Sequence, residues 1–527
     1  MPFRTLHRLR WPVAPLLGVV ATLGYAPYGQ WYLPVLALAL MFAIAARAPA
    51  GRAAFLGWLY GFAHYLTGIY WVYISTHTYG GAPAWLGALL MVALAAYLAA
   101  YDAIGFALAA RLRLLHAPIG WVAVPALFVF LELLRGTWLF DGFPWLSYGE
   151  LALDTPVAKL APLIGVHGIS ALVVICALAL QKLGVEENLE RRVYAAAVFA
   201  SPLLALALPM PSSWTEPDGP PITAALVQSD IRQDEKWLPA MRYEALSRHW
   251  RLTQQAWPAS VVVWPEVALT QSYAQLKDNY LANLDQQAAA RKATLLLGIL
   301  AFDESSTDPK APPYNSVIAV GAGHGRYDKR HLVPFGEFFP IPDFMRPLMD
   351  VLGTPYSDMA FGDPAQGLLH AGDYPIEVSI CFEDSFSDEI RARARGSAFL
   401  VNLTNDAWFG RSSAPHQHLA FSRLRAMENG RWMLRAANTG ISALINPDGE
   451  IVQRTKQFEQ AVLRGEIQPR KGQTPYQQWG DTPLWAACVL MLFCVLWSRR
   501  DRFEKRGQAP GSKPAPEAPP PAPGDAS

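Results

Sequence analysis

Three short segments of the 527-residue chain carry side chains that together can do covalent chemistry. Cys381 closes the apolar run Val378-Ser379-Ile380, with Glu383 two positions beyond it. Glu266 follows Val261-Val262-Val263-Trp264-Pro265, and Lys329 lies in Tyr327-Asp328-Lys329-Arg330-His331-Leu332-Val333-Pro334-Phe335-Gly336-Glu337. A thiol of ordinary pKa is only a few per cent thiolate at neutral pH, so as a nucleophile it needs a base or a positive neighbour. Glu266, at a strand rim, can take the thiol proton. Lys329 can stabilise the thiolate and then a tetrahedral oxyanion, together with the backbone N–H of Phe382. Taken singly, each residue has a plainer role: a buried structural thiol, a solvated loop carboxylate, a surface lysine. The other cysteines, Cys176, Cys488 and Cys494, fall inside long apolar stretches, which leaves Cys381 without a disulfide partner in its own domain.

The elements around these residues alternate between two periods. Strand-like runs occur at 222–228, 260–264, 294–300, 315–320, 325–330, 376–381, 398–403, 442–446 and 450–454, and the last two flank the turn signal Asn446-Pro447-Asp448-Gly449. Helical spacing occurs at 238–257, 273–291 and 416–431. Strands alternating with helices predict a layered α/β domain.

Taken together, Glu266, Lys329 and Cys381 resemble the Glu-Lys-Cys triad of the nitrilase superfamily, in its chain order. The longer forms, Trp-Pro-Glu and then Tyr-x-Lys-x-His-Leu-Val-Pro-Phe-Gly-Glu, resemble more specifically the apolipoprotein N-acyltransferase family, and the likeness runs to about residue 498. That resemblance implies an α-β-β-α sandwich carrying an acyl-enzyme on Cys381. It implies Glu337 as an accessory acid beside Lys329, Glu383 shaping the site behind the nucleophile, and Phe382 where relatives often have tyrosine. Trp237, in Gln233-Asp234-Glu235-Lys236-Trp237, would line a pocket. Asn402 and Asn405 would orient groups near the nucleophile, and Trp408 and Phe409 would wall an acyl chain. The implied partners are a phosphatidylethanolamine-like phospholipid as acyl donor and a diacylglyceryl apolipoprotein as acceptor.

Composition agrees with a membrane setting. Hydrophobic residues make up 52% and charged residues 17%, and a net charge of +1 argues against a general nucleic-acid binder. A helix needs about 20 apolar residues to cross a bilayer core. Seven such stretches lie near 11–28, 31–48, 53–75, 84–110, 118–138, 157–181 and 193–210, with an eighth near 481–498. The first has the basic flank of a signal peptide, but the spans after it favour a retained helix. Positive clusters at Arg4/Arg8/Arg10, Arg47/Arg52, Arg111/Arg113, Lys182/Arg191/Arg192 and after 498 all fall on one side, whereas the alternate short loops carry no lysine or arginine. The positive-inside rule therefore predicts cytoplasmic termini and a periplasmic catalytic domain at a bacterial inner membrane. The expected organisation is a transmembrane region over 1–212, a nitrilase-like domain over 215–480, a C-terminal span over 481–498 and a disordered proline-rich tail over 507–527.

Other features are weaker. The apolar stretch 338–367 reads as a lid or membrane-dipping arm. Glu132 and Arg135, three apart, can pair on one helix face, and Trp145 belongs to an aromatic cluster after that helix that reads as a belt or a gate. Asp102 and His64, inside spans, are expected to be structurally paired. Neither zinc-type ligand spacing nor a phosphate-cradling glycine motif occurs, so no metal and no cofactor are expected. Two other readings use the same residues: a membrane-tethered amidase, and an inactive nitrilase-like domain on a transporter or scaffold. The first predicts hydrolysis without phospholipid, and the second predicts function that survives Cys381→Ala.

Overall fold

The computed structural model describes residues 2–138, 141–306, 308, 311–339 and 358–507, with side chains described from 11 to 497. The middle of the expected arm, 340–357, and the tail from 508 on lie outside the described residues.

The first half is helical: α1 Pro2–Thr22, α2 Tyr32–Ala45, α3 Ala50–Gly68, α4 Ala84–Arg111, α5 Gly120–Thr137, α6 Ala161–Val185 and α7 Leu189–Ala200. Three apolar helices, Ala84–Arg111, Gly120–Thr137 and Pro156–Val185, are long enough to cross a bilayer by length and composition. Trp11–Thr22, Tyr32–Ala45 and Thr482–Trp497 are shorter apolar helices. The seventh apolar stretch is built in two pieces, with α7 passing into a 3₁₀ helix at Ser201–Ala207.

The second half carries two sheets. One has the order β6–β1–β2–β3–β4–β5, with β1 Ile222–Gln228, β2 Val261–Val263, β3 Thr294–Ala301, β4 Tyr314–Gly321, β5 Arg326–Asp328 and β6 Ala461–Ile467. The other is the path Leu369–Ala371, Tyr374–Ile380, Phe399–Thr404, Met433–Ala437, Ala443–Ile445, Ile451–Arg454. Val261, Val262 and Val263 are buried because β2 is a central strand, paired in parallel with β1 and β3 and covered on both faces. One apolar cluster joins the inner faces of the two sheets through Leu226, Val263, Leu296, Val378, Val401 and Leu434. A second cluster packs the outer face of the first sheet against the helix Met241–Ala256, so a helix covers that sheet. The expected layered α/β arrangement is present. The strands at 369–371, 433–437 and 461–467 lack a clear alternating pattern and escape a reading of the sequence alone.

The two halves share a core. Helix α8, Ala414–Asn429, ends at Gly430, whose φ of +59° terminates it in the left-handed conformation. Its Ala420, Leu424 and Met427 pack on Val166 and Ile169 of α6. Glu428 accepts a hydrogen bond from the Val166 backbone N–H at 2.9 Å. Gln417, fully buried, accepts from the indole N–H of Trp145 at 2.7 Å and of Trp71 at 3.2 Å, and donates to the Gly68 carbonyl at 3.2 Å. Trp145 packs against Trp71, Phe143, Phe421 and Phe382, with ring centroids between 4.8 and 6.1 Å. Such pairs are worth roughly 0.5–1.5 kcal/mol each beyond area burial.

Two expectations about polar residues in the helical half are corrected. Among the described residues Glu132 and Arg135 form no ion pair. Glu132 accepts from the Tyr148 backbone N–H at 2.8 Å and from Ser170 Oγ at 2.5 Å, while Arg135 donates to the carbonyls of Trp145 and Phe143. The buried backbone of the 143–148 segment needs those partners more than the two charges need each other. Asp102 and His64 do not pair either: the His64 Nδ1 lies 3.2 Å from Thr22 Oγ1.

Gln417→Leu removes the acceptor of two buried indole N–H groups and is expected to cost about 1–3 kcal/mol for each group left unpaired. The check is thermal unfolding of the detergent-solubilised chain, where the melting temperature should fall by several degrees.

Candidate active site

Cys381 is the first residue after strand Tyr374–Ile380 and opens a 3₁₀ turn, Cys381–Ser385. Its φ is +53°, a left-handed conformation that a non-glycine residue holds at a cost of order 1–3 kcal/mol. The surrounding structure enforces it. Asn402 donates to the Cys381 carbonyl at 3.2 Å, and His418 Nε2 lies 3.1 Å from the same oxygen. Glu383 reaches back to accept from the Ile380 backbone N–H at 2.7 Å. Its other oxygen accepts from the Tyr327 hydroxyl and from the N–H groups of Arg330 and His331 at 2.8 to 3.1 Å. Glu383 thus ties the segment after Lys329 to the turn that holds Cys381. Burial pushes its carboxyl up to about 7, against the backbone hydrogen bonds that pull it down.

Lys329, 1% exposed, leaves β5 at its last residue, Asp328. Its ammonium donates to Glu337 Oε1 at 2.8 Å and lies 3.5 Å from Glu266 Oε1. Asn315 Nδ2 donates to both carboxylates, at 2.8 Å to Glu266 and 3.2 Å to Glu337. Glu337 is fixed from its other oxygen by the Val333 N–H at 2.8 Å. Burial would lower the Lys329 pKa, but Glu337, Glu266 and Cys381 outweigh it and hold the ammonium charged. Glu266 sits just past β2 and is itself buried. Gly298 of β3 makes its position possible: a Cβ there would stand 2.5 Å from the Pro265 carbonyl and 2.8 Å from Glu266 Cα.

Glu266, Lys329 and Cys381 therefore converge from three separate strand ends. Cys381 is 8% exposed. Burial raises its pKa well above the ordinary range, and Glu266 pushes the same way while Lys329 pulls it down. The thiol form is the favoured one, with Glu266 and Lys329 as charged neighbours of opposite sign.

The remaining expected residues divide. The Phe382 ring stacks on Trp145 at 6.1 Å, so the residue after the nucleophile touches the helical half. Asn402 and Trp145 are enclosed, at 0% and 1% exposure, with their polar atoms bonded to protein. They are placed to orient neighbours rather than to contact a substrate. Asn405 reaches Gln233 Oε1 at 2.8 Å and accepts from Asn438, so it braces the 233–237 segment instead of the nucleophile. Trp237 and Trp408 are open, at 49% and 37% exposure, and the Trp408 carbonyl accepts from Ser75.

Residues without a sequence signal complete the support. Asn315 carries none, being the second residue of an ordinary apolar strand. Behind Cys381 lies a fully buried network: His418 contacts Asp384 at 3.0 Å and Asp406 at 2.9 Å, and Arg435 contacts the same two carboxylates at 3.3 and 3.0 Å. Burial and Arg435 push His418 down, but Asp384 and Asp406 hold it up at about 9. Burial would raise Asp406, yet Arg435 and His418 bring it down to about 2. Among the described residues no group of three metal-ligating side chains forms.

Two family models match the chain: the apolipoprotein N-acyltransferase N-terminal domain over residues 17–179, and carbon-nitrogen hydrolase over 223–476. The apolipoprotein N-acyltransferase of Methylococcus capsulatus is 36% identical over 500 residues, 93% of this chain and 97% of its own length. That of Azotobacter vinelandii is 39% identical over 522 residues, 96% and 99% respectively. The chain belongs to the apolipoprotein N-acyltransferase family. An amidase from Nesterenkonia sp. of known structure covers 50% of this chain and 94% of its own at 19% identity, with a TM-score of 0.34, a likeness too loose to argue from. Membership accounts for both halves at once, since the two models fall on the helical region and on the two-sheet region.

Two outcomes test this geometry. Gly298→Ala is expected to displace Glu266 and lower the rate of Cys381 acylation by tenfold or more, with only a modest change in melting temperature; single-turnover kinetics beside thermal unfolding check it. His418, with its folded pKa raised from the ordinary value of about 6.5 to about 9, contributes stability that is fully present below about pH 6.5 and lost as pH rises through about 9. That contribution is on the order of 3 kcal/mol. Unfolding followed between those pH values should show the decline in the native chain and lose that part of it in His418→Gln.

Proposed function

We propose that this chain moves a fatty acyl group from a membrane phospholipid, through a thioester on Cys381, to the α-amine of the diacylglyceryl-cysteine of an apolipoprotein. The observation that carries the reading is the buried Lys329 ammonium, held between Glu337 and Glu266 beside a protonated thiol. Family membership supports it, the relatives matching 93% and 96% of the chain.

In the first step Glu266 takes the Cys381 proton and the sulfur attacks the ester carbonyl carbon of the donor. Lys329 stabilises the oxyanion. The C–O bond breaks, Glu266 returns the proton to the departing lysophospholipid oxygen, and a thioester remains. In the second step Glu266 takes a proton from the neutral acceptor amine as its nitrogen attacks the thioester. The C–S bond breaks and the proton restores the Cys381 thiol, leaving an amide. Glu337 keeps Lys329 in place, and Glu383 keeps the Lys329 and Cys381 segments in register. Two-step transfer of this kind gives ping-pong kinetics.

The setting belongs to the same proposal. Eight spans, at the stretches named from the sequence, would carry the chain across an inner membrane, with both termini cytoplasmic and the catalytic domain periplasmic. The two-piece seventh stretch favours this, because α7 from Val193 on and its 3₁₀ extension together rise about 26 Å, close to the thickness of a hydrocarbon core. The proposed boundaries are 1–212 for the transmembrane region, 215–480 for the catalytic domain and 481–498 for the final span. Phosphatidylethanolamine is the proposed donor. Trp237 and Trp408, both open to solvent, are the proposed contacts for lipid chains.

The test is the intact and peptide mass of the detergent-purified chain after incubation with phosphatidylethanolamine. A hydroxylamine-labile fatty-acyl adduct on the Cys381 peptide is expected, absent in Cys381→Ala and reduced by orders of magnitude in Glu266→Gln and Lys329→Met. A folded chain that forms no adduct, yet hydrolyses small amides without phospholipid, would overturn the reading in favour of an amidase.

A further inference from the structure

A second buried lysine stands at the same carboxylate. Lys236 is 4% exposed, although it lies in the loop 229–240 between Trp237 and Glu235, which are open. Its ammonium donates to the backbone carbonyl of Glu266 at 3.4 Å, and among the described residues it has no carboxylate within ion-pair distance. Every other buried lysine or arginine of the site has one: Lys329 has Glu337, and Arg435 has Asp384 and Asp406. A buried ammonium without a direct counter-ion is costly and needs a reason.

Charge balance supplies one. Two carboxyl groups, Glu266 and Glu337, meet a single ammonium, Lys329, at this end of the site. Lys236 adds a second cation there without occupying a Glu266 oxygen, because it bonds to the main chain rather than to the carboxylate. Glu266 is thereby fixed from two directions. Gly298 lies against its backbone on one side and Lys236 holds its carbonyl, leaving one carboxylate oxygen to Asn315 and Lys329. Asn405 braces the loop that delivers Lys236 through Gln233 Oε1.

We infer that Lys236 is a positioning residue for acylation, a second cation that holds the Glu266 backbone in place beside the carboxylate that serves as the base for Cys381. The inference rests on the proposed role of Glu266. The titratable groups that face Lys236 are Glu266 and, from the helix Met241–Ala256, His249, which burial lowers to about 4 and so leaves neutral at working pH. Burial brings Lys236 down to about 8, with Glu266 opposing. Its charge is therefore present at neutral pH and lost as pH rises through about 8.

The experiment measures single-turnover formation of the Cys381 acyl adduct from phosphatidylethanolamine against pH, on the full chain in detergent. Lys236→Met should move the acid limb to higher pH, with the rate below it falling about tenfold for each unit moved. Lys236→Arg, which stays charged, should keep the acid limb and carry the alkaline limb upward. Both limbs superimposing on the native profile in folded variants would overturn the inference, since a merely structural lysine changes amplitude and not the position of a limb. Should Lys236→Met fail to fold, Lys236→Arg decides alone, and an unmoved alkaline limb overturns the inference. Full-rate adduct formation by Glu266→Gln would remove the base reading itself, and with it this one, which separates the two failures.

Discussion

An ammonium group buried as deeply as that of Lys329 cannot stand alone, and the architecture of the site follows from this. Taking such a charge out of water costs several kcal/mol unless opposite charge and hydrogen bonds replace the lost hydration. Glu337 and Glu266 provide the charge, and Asn315 keeps the two carboxylates from repelling each other apart by donating to both. Glu337 in turn needs the Val333 N–H, which fixes the turn after Lys329. Glu383 collects the N–H groups of Arg330 and His331 on one oxygen and that of Ile380 on the other, locking this turn to the nucleophile. One desolvated cation thus sets the relative positions of three strand ends.

The same logic holds the catalytic region against the helical one. An interface built only from aliphatic packing would tolerate sliding; this one contains polar groups with single satisfactory partners. Gln417 matches two indole N–H groups and one carbonyl, and Glu428 matches the N–H of Val166. Gln417 and His418 are adjacent on α8, one bonded to the helical half and the other to the Cys381 carbonyl and the buried carboxylates. A shift of α8 along α6 would break both sets. The position of the nucleophile relative to the membrane-facing half is therefore fixed by hydrogen bonding, with the Trp145–Phe382 stack as its apolar counterpart.

What the sequence discloses and what it conceals follow from how each signal arises. Runs 222–228 and 294–300 were legible as strands because interior strands covered on both faces are largely apolar, and Val261–Val263 because three β-branched residues shortly before proline have few alternatives. Glu266, Lys329 and Cys381 were legible because each sits at a strand end inside a motif. Asn315 was not, because a single amide in an apolar strand has no pattern of its own. His418 was not legible either, because its partners, Asp384 and Asp406, lie elsewhere in the sequence and meet it only in the fold. The Glu132–Arg135 pairing failed for a related reason, since helical spacing brings side chains near each other but does not count the unpaired backbone groups nearby that compete for them.

The reaction proposed for this site moves a proton from Cys381 to Glu266 in its first step and a proton from Glu266 to Cys381 in its second, and neither transfer changes the total charge of the site. The thiol–carboxylate form and the thiolate–carboxylic acid form carry the same net charge, so no counter-charge has to enter or leave the site. What does change is where the negative charge sits, and Lys329 lies against both positions: 3.5 Å from the Glu266 oxygen and near enough to Cys381 to pull its ionisation down. A rigid cation between donor and acceptor can lower the cost of the charged thiolate without trapping it, because Glu337 holds the ammonium whichever partner bears the charge. Flexible or solvated groups would have to move to do the same. This is a physical reason for a lysine so deeply buried, for two carboxylates where one would neutralise it, and for the strained backbone that brings Cys381 to meet them.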